Sequence, residues 1–96
     1  MARKSGSLVG GWKPIEDIKD PHVQELGEFA VSEHNKEAKK NLKFDQVVRG
    51  DTQVVSGLKY RLVVTAKDGS VKNEYEAIVW EKAWLGFKNL TSFKQL

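Results

Sequence analysis

One helical pattern, followed only by strand patterns, is the feature that most constrains the fold of this chain. The helical pattern begins at Asp20 and Pro21, because Asp is a preferred N-cap residue and Pro is favoured at the first helical position. Five residues then recur at the spacings of three and four that define one helix face: Val23, Leu26, Ala30, His34 and Ala38. The spacing predicts one helix, roughly 27 Å long at about 1.5 Å per residue.

Gly27 lies inside the predicted helix. A glycine in this position costs about 1 kcal/mol relative to alanine. The cost is explained if the helix backbone approaches a sheet so closely that only a very small residue fits.

From Leu42 onward, apolar and polar positions alternate with the period of a β-strand. The alternation is clearest in residues 58–65, and Lys67-Asp68-Gly69-Ser70 predicts the hairpin turn that follows, because Asp-Gly tolerates positive φ angles. A return strand follows that turn, and other strands are predicted at 42–55 with a bulge at Gly50, at 87–93 and, before the helix, at 12–15. The pattern predicts an α+β fold in which a curved antiparallel sheet of four to five strands wraps one long helix.

The chain has 96 residues, which is too little material for a second core. Glycines and serines surround Leu8 and Val9 near the start of the chain, and this composition is typical of a flexible segment. We therefore predict a flexible N-terminal arm at residues 1–9 and a single domain at residues 10–96.

Residues that could carry catalysis or hold a metal are few. The chain has no cysteine, which excludes a disulfide, a thiolate zinc site and a cysteine nucleophile. His22 and His34 are separated by about three helical turns, so they cannot bind one metal together without partners from elsewhere. Neither glycine-rich phosphate-binding pattern occurs. We expect no metal and no cofactor, and we predict that the protein is not an enzyme.

The net charge of +3 raises the question of a nucleic-acid partner. The densest basic stretch contains Lys36, Lys39, Lys40 and Lys43, but acidic residues lie beside it and no platform of aromatic residues accompanies it. A solvated helix face is the favoured interpretation, and a small nucleic-acid binder remains a lesser alternative. We expect no membrane partner, since no segment is long and apolar enough. The protein is expected to be cytosolic, or secreted or vacuolar with its signal peptide already removed.

Three features do not fit a core or an ordinary solvated surface: the segment Leu8-Val9-Gly10-Gly11, the turn Gln53-Val54-Val55-Ser56-Gly57, and Ala83-Trp84. Alternate connections of an antiparallel meander lie at the same end of the sheet, so all three are expected to lie together. β-Branched residues are unusual in a turn, whereas Gly57 can adopt an unusual backbone angle. Trp84 is typical of a binding anchor, although a tryptophan folded back over the sheet edge is the alternative.

These motifs resemble the plant cystatins over nearly the whole chain. Gln53-Val54-Val55-Ser56-Gly57 matches the QxVxG loop of that family, and Gly10-Gly11 matches its N-terminal glycines. Residues 26–35 resemble the plant-type helix signature, and residues 75–80 resemble the strand before the second loop. The resemblance implies a reversible, non-covalent inhibitor that blocks the cleft of papain-like cysteine proteases, such as papain and cathepsin L-like enzymes. The contact residues it implies are Leu8, Val9, Gly10, Gly11, Gln53, Val54, Val55, Ser56, Gly57, Ala83 and Trp84.

The second loop departs from the family pattern, because Ala83 stands where the family has proline. A proline would restrain the loop by about 0.4–1 kcal/mol, so this loop is expected to be more mobile than usual. The resemblance also implies an active monomer and a possible domain-swapped dimer, in which strain at Val55 is relieved and inhibition is lost. A non-inhibitory protein-binding module on the same scaffold remains the main alternative.

Overall fold

The computed structural model describes residues 11–96, and within this range one α-helix packs against a five-stranded antiparallel sheet. The sheet order follows the sequence, so every strand pairs with its neighbours along the chain. This arrangement confirms the predicted α+β fold, whereas the predicted arm at residues 1–9 lies outside the described residues. The elements are β1 Lys13–Pro14, α1 Pro21–Ala38, β2 Lys43–Val55, β3 Gly57–Asp68, β4 Val71–Lys82, a 3-10 turn at Ala83–Leu85, and β5 Phe87–Gln95.

Helix α1 begins where its capping signals predict. The Asp20 carboxylate accepts a hydrogen bond from the His22 backbone N–H at 2.9 Å, and Pro21 occupies the first helical position. The helix ends at Ala38, and the residue that caps it, Lys39, has a left-handed φ of 54°. Its buried face comprises Val23, Leu26, Gly27, Ala30 and Val31. The predicted face is correct for the first turns, but His34 stacks on Phe93 at the edge of the core and Ala38 is exposed.

Gly27 lies against β2, which confirms the expected close approach of the helix to the sheet. A Cβ atom built on Gly27 would collide with Cγ2 of Val47 and lie 2.9 Å from Cε1 of Phe44. Val47 is 2% exposed and has little space into which to move. Glycine at position 27 destabilises the helix slightly, but it is required because a larger residue would prevent α1 from packing directly on β2.

The predicted bulge at Gly50 is wrong. Gly50 is in register with Leu62, and the irregularities of β2 fall between Phe44 and Gln46 and between Val47 and Arg49. The reason for a glycine at position 50 is space, because an added Cβ would lie 2.9 Å from Cδ2 of Leu62 and 3.1 Å from Cδ1 of Ile15. The two extra residues of β2 bend and twist the strand around the helix, as bulges do.

The core lies between α1 and the inner face of the sheet. Alternate residues of β3 and β4 point towards the helix and are buried, including Leu62, Val64, Ala77 and Val79, which are all 0% exposed. Phe29, Phe44, Leu58 and Phe93 pack around this cluster at its margins. The alternation of apolar residues with a period of two thus determines which face of the sheet is buried.

Among residues 11–96, no helix is both long and apolar enough to cross a membrane.

The outer face of the sheet carries charged side chains in cross-strand pairs. Arg61 on β3 binds Asp51 on β2 at 3.1 Å, and Lys94 on β5 binds Glu76 on β4 at 3.6 Å. Opposite charges facing each other across strands stabilise a solvated sheet surface by a few tenths of a kcal/mol to about 1 kcal/mol for each pair.

The hairpin between β3 and β4 lies at one end of this sheet. Its Gly69 has a φ of +65°, as the Asp-Gly pattern predicts.

We predict that Gly27→Ala lowers the free energy of unfolding by about 1–2 kcal/mol. Overpacking costs about 1–3 kcal/mol, and the collision with buried Val47 places this site in the upper part of that range, at about 2–3 kcal/mol, which outweighs the gain of about 1 kcal/mol in helix propensity. Urea denaturation followed by circular dichroism measures the change. Ser32→Ala, at an exposed position of the same helix, is the matched control and should stay within about 0.5 kcal/mol of the parent. A Gly27→Ala variant at least as stable as the parent would contradict the close packing.

Candidate functional site

Two connections of the sheet lie side by side at the end opposite the Gly69 hairpin. The first loop, residues 53–57, comprises the end of β2, Ser56 and the start of β3, and the second loop, residues 83–86, joins β4 to β5. Leu58 at the start of β3 is in register with Glu81 at the end of β4, which brings the loops together. The expectation that these two segments share one end of the sheet is confirmed by this register.

The first loop is a very tight turn. Val55 and Gly57 are paired across the hairpin, with only Ser56 between them. Gly57 has a φ of +92°, and an added Cβ would collide with the backbone oxygen of Glu81. Glycine is therefore required here both for its backbone angle and for its lack of a side chain.

The two valine side chains of the first loop are exposed to solvent. Val54 is 68% exposed and Val55 is 37% exposed, while Gln53 and Gly57 are partly buried. The expected backbone strain at Val55 is not observed: within residues 11–96, Lys39 is the non-glycine residue with a positive φ. The unusual angle falls on Gly57 instead, so the turn presents two valines without distorting them.

The second loop is a short 3-10 turn that ends at a glycine. Gly86 has a φ of +62°, and its N–H donates to the backbone oxygen of Ala83 at 3.1 Å. Trp84 is 66% exposed and Leu85 is 65% exposed. The alternative in which Trp84 folds back over the sheet edge is therefore wrong, because the turn directs its side chain outward. Leu85 was not among the predicted site residues, although its place next to Trp84 could have indicated it.

Of the predicted contact segment Leu8-Val9-Gly10-Gly11, the first three residues lie outside the described residues. Gly11 is described and partly buried. The strand that follows it pairs with β2, with Lys13 opposite Thr52, so the chain at Gly11 lies towards the first-loop end of the sheet. The guanidinium of Arg61 lies 4.4 Å from the ring centroid of Trp12 and holds this segment on the outer face.

A buried carboxylate lies beneath the two loops. Glu81 is 8% exposed and continues the inward series of β4 after Val79. The Nε2 atom of His22, at the start of α1, lies 2.8 Å from Oε1 of Glu81. This hydrogen bond is the main cause of a raised His22 pKa, and Glu25, 3.5 Å from Nδ1, adds to it. Sequence analysis missed the pair, although the alternation of β4 places position 81 on the buried face.

A second missed contact reaches the first loop from β4. The indole Nε1–H of Trp80 donates to the backbone oxygen of Ser56 at 2.8 Å. The Trp80 ring packs edge-on against Phe87, with the centroids 5.4 Å apart. No local sequence pattern indicates this bond, because the two residues lie 24 positions apart.

The side chains at the loop end of the sheet are suited to binding another molecule. Within the described part of the chain, no group of three or more histidine and carboxylate side chains could hold a metal. Exposed large apolar residues instead gather here, namely Val54, Val55, Trp84, Leu85 and Phe87. A concentration of exposed apolar side chains on a small soluble domain is typical of an interaction surface.

Comparison with known families gives a match over most of the chain. Residues 15–96 match the model of a family described as SQAPI, aspartic acid proteinase inhibitor. Curated relatives carry a different name. Cysteine proteinase inhibitor 5 of Arabidopsis thaliana is 60% identical over 91 residues, covering 94% of this chain and 75% of that protein. Cysteine proteinase inhibitor 1 of Actinidia chinensis var. chinensis is 56% identical over 88 residues, covering 92% of this chain and 76% of that protein.

Solved structures share the fold. The salivary cystatin of the soft tick Ornithodoros moubata has a TM-score of 0.78 at 24% identity, covering 91% of this chain and 97% of that one. The squash aspartic acid proteinase inhibitor has a TM-score of 0.68 at 27% identity, covering 100% of this chain and 98% of that one. The fold predicted from the sequence is thus the fold of known protease inhibitors.

We predict that His22 contributes to stability in a pH-dependent way. Its pKa is raised on folding, so its contribution is fully present below the ordinary value of about 6.5 and is lost as the pH rises through the folded-state pKa. The stability difference between the parent and His22→Gln should therefore be larger at about pH 5.5 than at about pH 8.5. Thermal or urea unfolding at the two pH values measures it.

The same comparison in a Glu81→Gln background is the control for this prediction. The pH dependence should shrink there, because the largest cause of the raised His22 pKa has been removed. Tyr60, whose ring lies 6.3 Å from His22, has its own pKa raised by burial and so does not titrate in this range. A His22 contribution that is equal at both pH values, or larger at the higher one, would refute the assignment.

Proposed function

This chain belongs to the plant cystatins, a family of cysteine proteinase inhibitors, and we propose that it blocks the active-site cleft of papain-like enzymes reversibly and without covalent chemistry. The family and the relatives are protease inhibitors, not enzymes, in agreement with the sequence prediction. The observation that carries the proposal is the placement of the first and second loops side by side, with Val54, Trp84 and Leu85 exposed.

Each part of this surface has a proposed role. The first loop enters the cleft beside the catalytic cysteine of the protease, with Val54 and Val55 as its apolar contacts and Gln53, Ser56 and Gly57 shaping the turn. The second loop packs its exposed Ala83, Trp84 and Leu85 on the primed side. Leu8, Val9, Gly10 and Gly11 are proposed to occupy the non-primed subsites.

The binding free energy of a nanomolar inhibitor can be compared with the free energy gained by burying the Trp84 side chain. Nanomolar inhibition corresponds to about −12 kcal/mol, after the loss of translational and rotational freedom has been overcome. A buried tryptophan covers roughly 150–250 Å², so burying the exposed two-thirds of Trp84 gives about 2.5–4 kcal/mol. Trp84 is therefore a major contributor, and the remainder must come from the first loop, Leu85 and the arm.

A non-covalent mechanism is supported by the chemistry of the contact residues. The chain has no cysteine, so it cannot form a mixed disulfide with the thiol of a cysteine protease. The exposed first loop offers valine side chains and a serine hydroxyl, none of which is an electrophile. Binding by occlusion of the cleft requires no reaction at any of these groups.

Inhibition of aspartic proteinases is the second candidate function. It is favoured by the description of the matching family model and by the structural likeness to the squash inhibitor. Cysteine protease inhibition is preferred because relatives at 56% and 60% identity carry that name, whereas the squash protein is 27% identical. A titration against both protease classes separates the two functions.

The active form is proposed to be the monomer. Exchange of β1, α1 and β2 between two copies would open the hairpin at Ser56 and extend the first loop into a continuous strand. Such a dimer would no longer present the tight turn between Val55 and Gly57. We therefore propose that a domain-swapped dimer does not inhibit cysteine proteases.

The test is a titration of papain with a fluorogenic substrate, in which the monomer should inhibit at nanomolar concentrations. Trp84→Ala should weaken the inhibition constant by about 30-fold or more, since about 2 kcal/mol is lost when an exposed anchor of this kind is removed. Val71→Ala is the matched control. Val71 is 58% exposed at the opposite end of the sheet, and its replacement should leave inhibition unchanged.

Three outcomes of this titration count against the proposal. The absence of papain inhibition at micromolar protein by a folded chain would favour the non-inhibitory binding module. Inhibition of pepsin in place of papain would favour the second candidate. A Trp84→Ala variant with the affinity of the parent would remove the second loop from the mechanism.

We predict that Ala83→Pro strengthens papain inhibition by about two- to fivefold, because it restrains the free loop by about 0.4–1 kcal/mol. The backbone conformation is compatible with proline at this position. Ala83 is the first residue of the 3-10 turn. Lys82 has φ −122° and ψ 93°, which is close to the extended region required before proline. The inhibition constant and the thermal midpoint are measured together. An unchanged or weaker inhibition constant would show that the mobility of this loop does not limit binding.

A further inference from the structure

Trp80 contacts the first loop and the two residues that flank the second loop. Its indole N–H donates to the backbone oxygen of Ser56, at the tip of the first loop, at 2.8 Å. Its ring packs edge-on against Phe87 and lies under the Lys82 ammonium, which is 4.7 Å from the ring centroid. Lys82 and Phe87 are paired in register and flank the second loop. We propose that Trp80 is a positioning residue that fixes the first loop relative to the second, an inference that rests on the proposed function.

The first loop needs such a restraint from outside its own hairpin. Strand pairing ends at Val55 and Gly57, so the ladder between β2 and β3 leaves Ser56 at the unpaired tip of the turn. A hydrogen bond from Trp80 comes instead from β4, the next strand of the sheet. It therefore restrains the tip against movement out of the plane of the sheet, which the hairpin alone does not oppose.

The position of Gly57 makes this tether possible. A side chain at Gly57 would collide with the backbone oxygen of Glu81, the residue that follows Trp80 in β4. Glycine thus allows the first loop to lie directly against the end of β4. The Ser56 carbonyl then comes within hydrogen-bonding distance of the indole.

Trp80 does not belong to the core of the domain. Tyr75, Ala77 and Val79 form the buried face of β4, whereas Trp80 lies on the opposite face and is only partly buried. The hydrogen bond and ring contacts of Trp80 involve Ser56, Lys82 and Phe87, which are all at the loop end. Loss of the indole N–H should therefore change the loops and leave the fold intact.

The consequence for inhibition follows from preorganisation. A protease cleft accepts both loops at once only when their relative placement is correct, and a loop that must be ordered on binding lowers the affinity. The tether from Trp80 orders the first loop in the free protein. Phe87 and Lys82 hold the same ring from the side of the second loop, so one side chain fixes both contact surfaces.

Trp80→Phe tests the proposal, because it keeps an aromatic ring against Phe87 and Lys82 and removes the donor to Ser56. The inhibition constant for papain should weaken about three- to tenfold, as expected for one hydrogen bond between neutral groups. Backbone amides of residues 54–57 should exchange hydrogen at least about threefold faster. The thermal midpoint should fall by no more than the few degrees expected for one hydrogen bond, and the exchange of amides in β3 and β4 beyond the loops should stay unchanged.

Thr91→Val is the matched control for the loss of a side-chain hydrogen bond. The Thr91 hydroxyl donates to the backbone oxygen of Ile78 at 3.2 Å, which is the same type of bond between β5 and β4. Thr91 lies in β5 and belongs to neither loop. This variant should leave both the papain inhibition constant and the exchange of residues 54–57 as they are in the parent.

Two results would overturn the inference. One is a Trp80→Phe variant with parental inhibition and parental loop exchange. The other is a lowered thermal midpoint with faster exchange throughout β3 and β4, which would make Trp80 a general structural residue. If the parent itself does not inhibit papain, the proposed function fails. The exchange of residues 54–57 then still decides whether Trp80 restrains the first loop.

Discussion

The pairing between β3 and β4 is the constraint on which the placement of both loops depends. These strands are in continuous register from Leu58 opposite Glu81 to Asp68 opposite Val71, without a bulge. The irregular positions fall in the flanking pairs, two within β2 and one between Ile78 and Val79 where β4 meets β5. The central pair therefore fixes the ends of the sheet, while the outer strands bend around the helix. A slip of one residue would exchange the buried and exposed faces and displace the loops by about 3.4 Å along the strands.

Glu81 connects this sheet end to the helix. Its position in the inward series of β4 would suit an apolar residue, and a buried carboxylate without a partner is costly. His22 supplies the partner at 2.8 Å from the first turn of α1. The backbone oxygen of Glu81 also faces Gly57, so one residue contacts the helix through its side chain and borders the first loop through its main chain. The hydrogen bond between His22 and Glu81 thus joins the helix N-terminus to the base of the candidate site.

Sequence analysis predicted the features that depend on neighbouring residues. The helix start follows from Asp20 and Pro21, the distal hairpin from Asp68 and Gly69, and the buried faces of the long strands from their alternation. The bulge was predicted at the wrong position, because the prediction relied on Gly50. The glycine instead leaves space for the side chains of Leu62 and Ile15, which are distant in sequence. The contacts of His22 with Glu81 and of Trp80 with Ser56 span 59 and 24 positions. The first depends on the packing of α1 on the sheet, and the second depends on the sheet register.

The second loop shows how a departure from the family pattern is accommodated. Ala83 gives its backbone more freedom than proline would, but the segment on either side is held. Gly86 closes the turn through its hydrogen bond to Ala83 at 3.1 Å. Lys82 lies over the rings of Trp80 and Phe87 at 4.7 and 5.7 Å. The freedom that Ala83 adds is therefore confined to the three residues of the 3-10 turn. Trp84 sits at the centre of that turn, so we expect the added freedom to act on its orientation before binding.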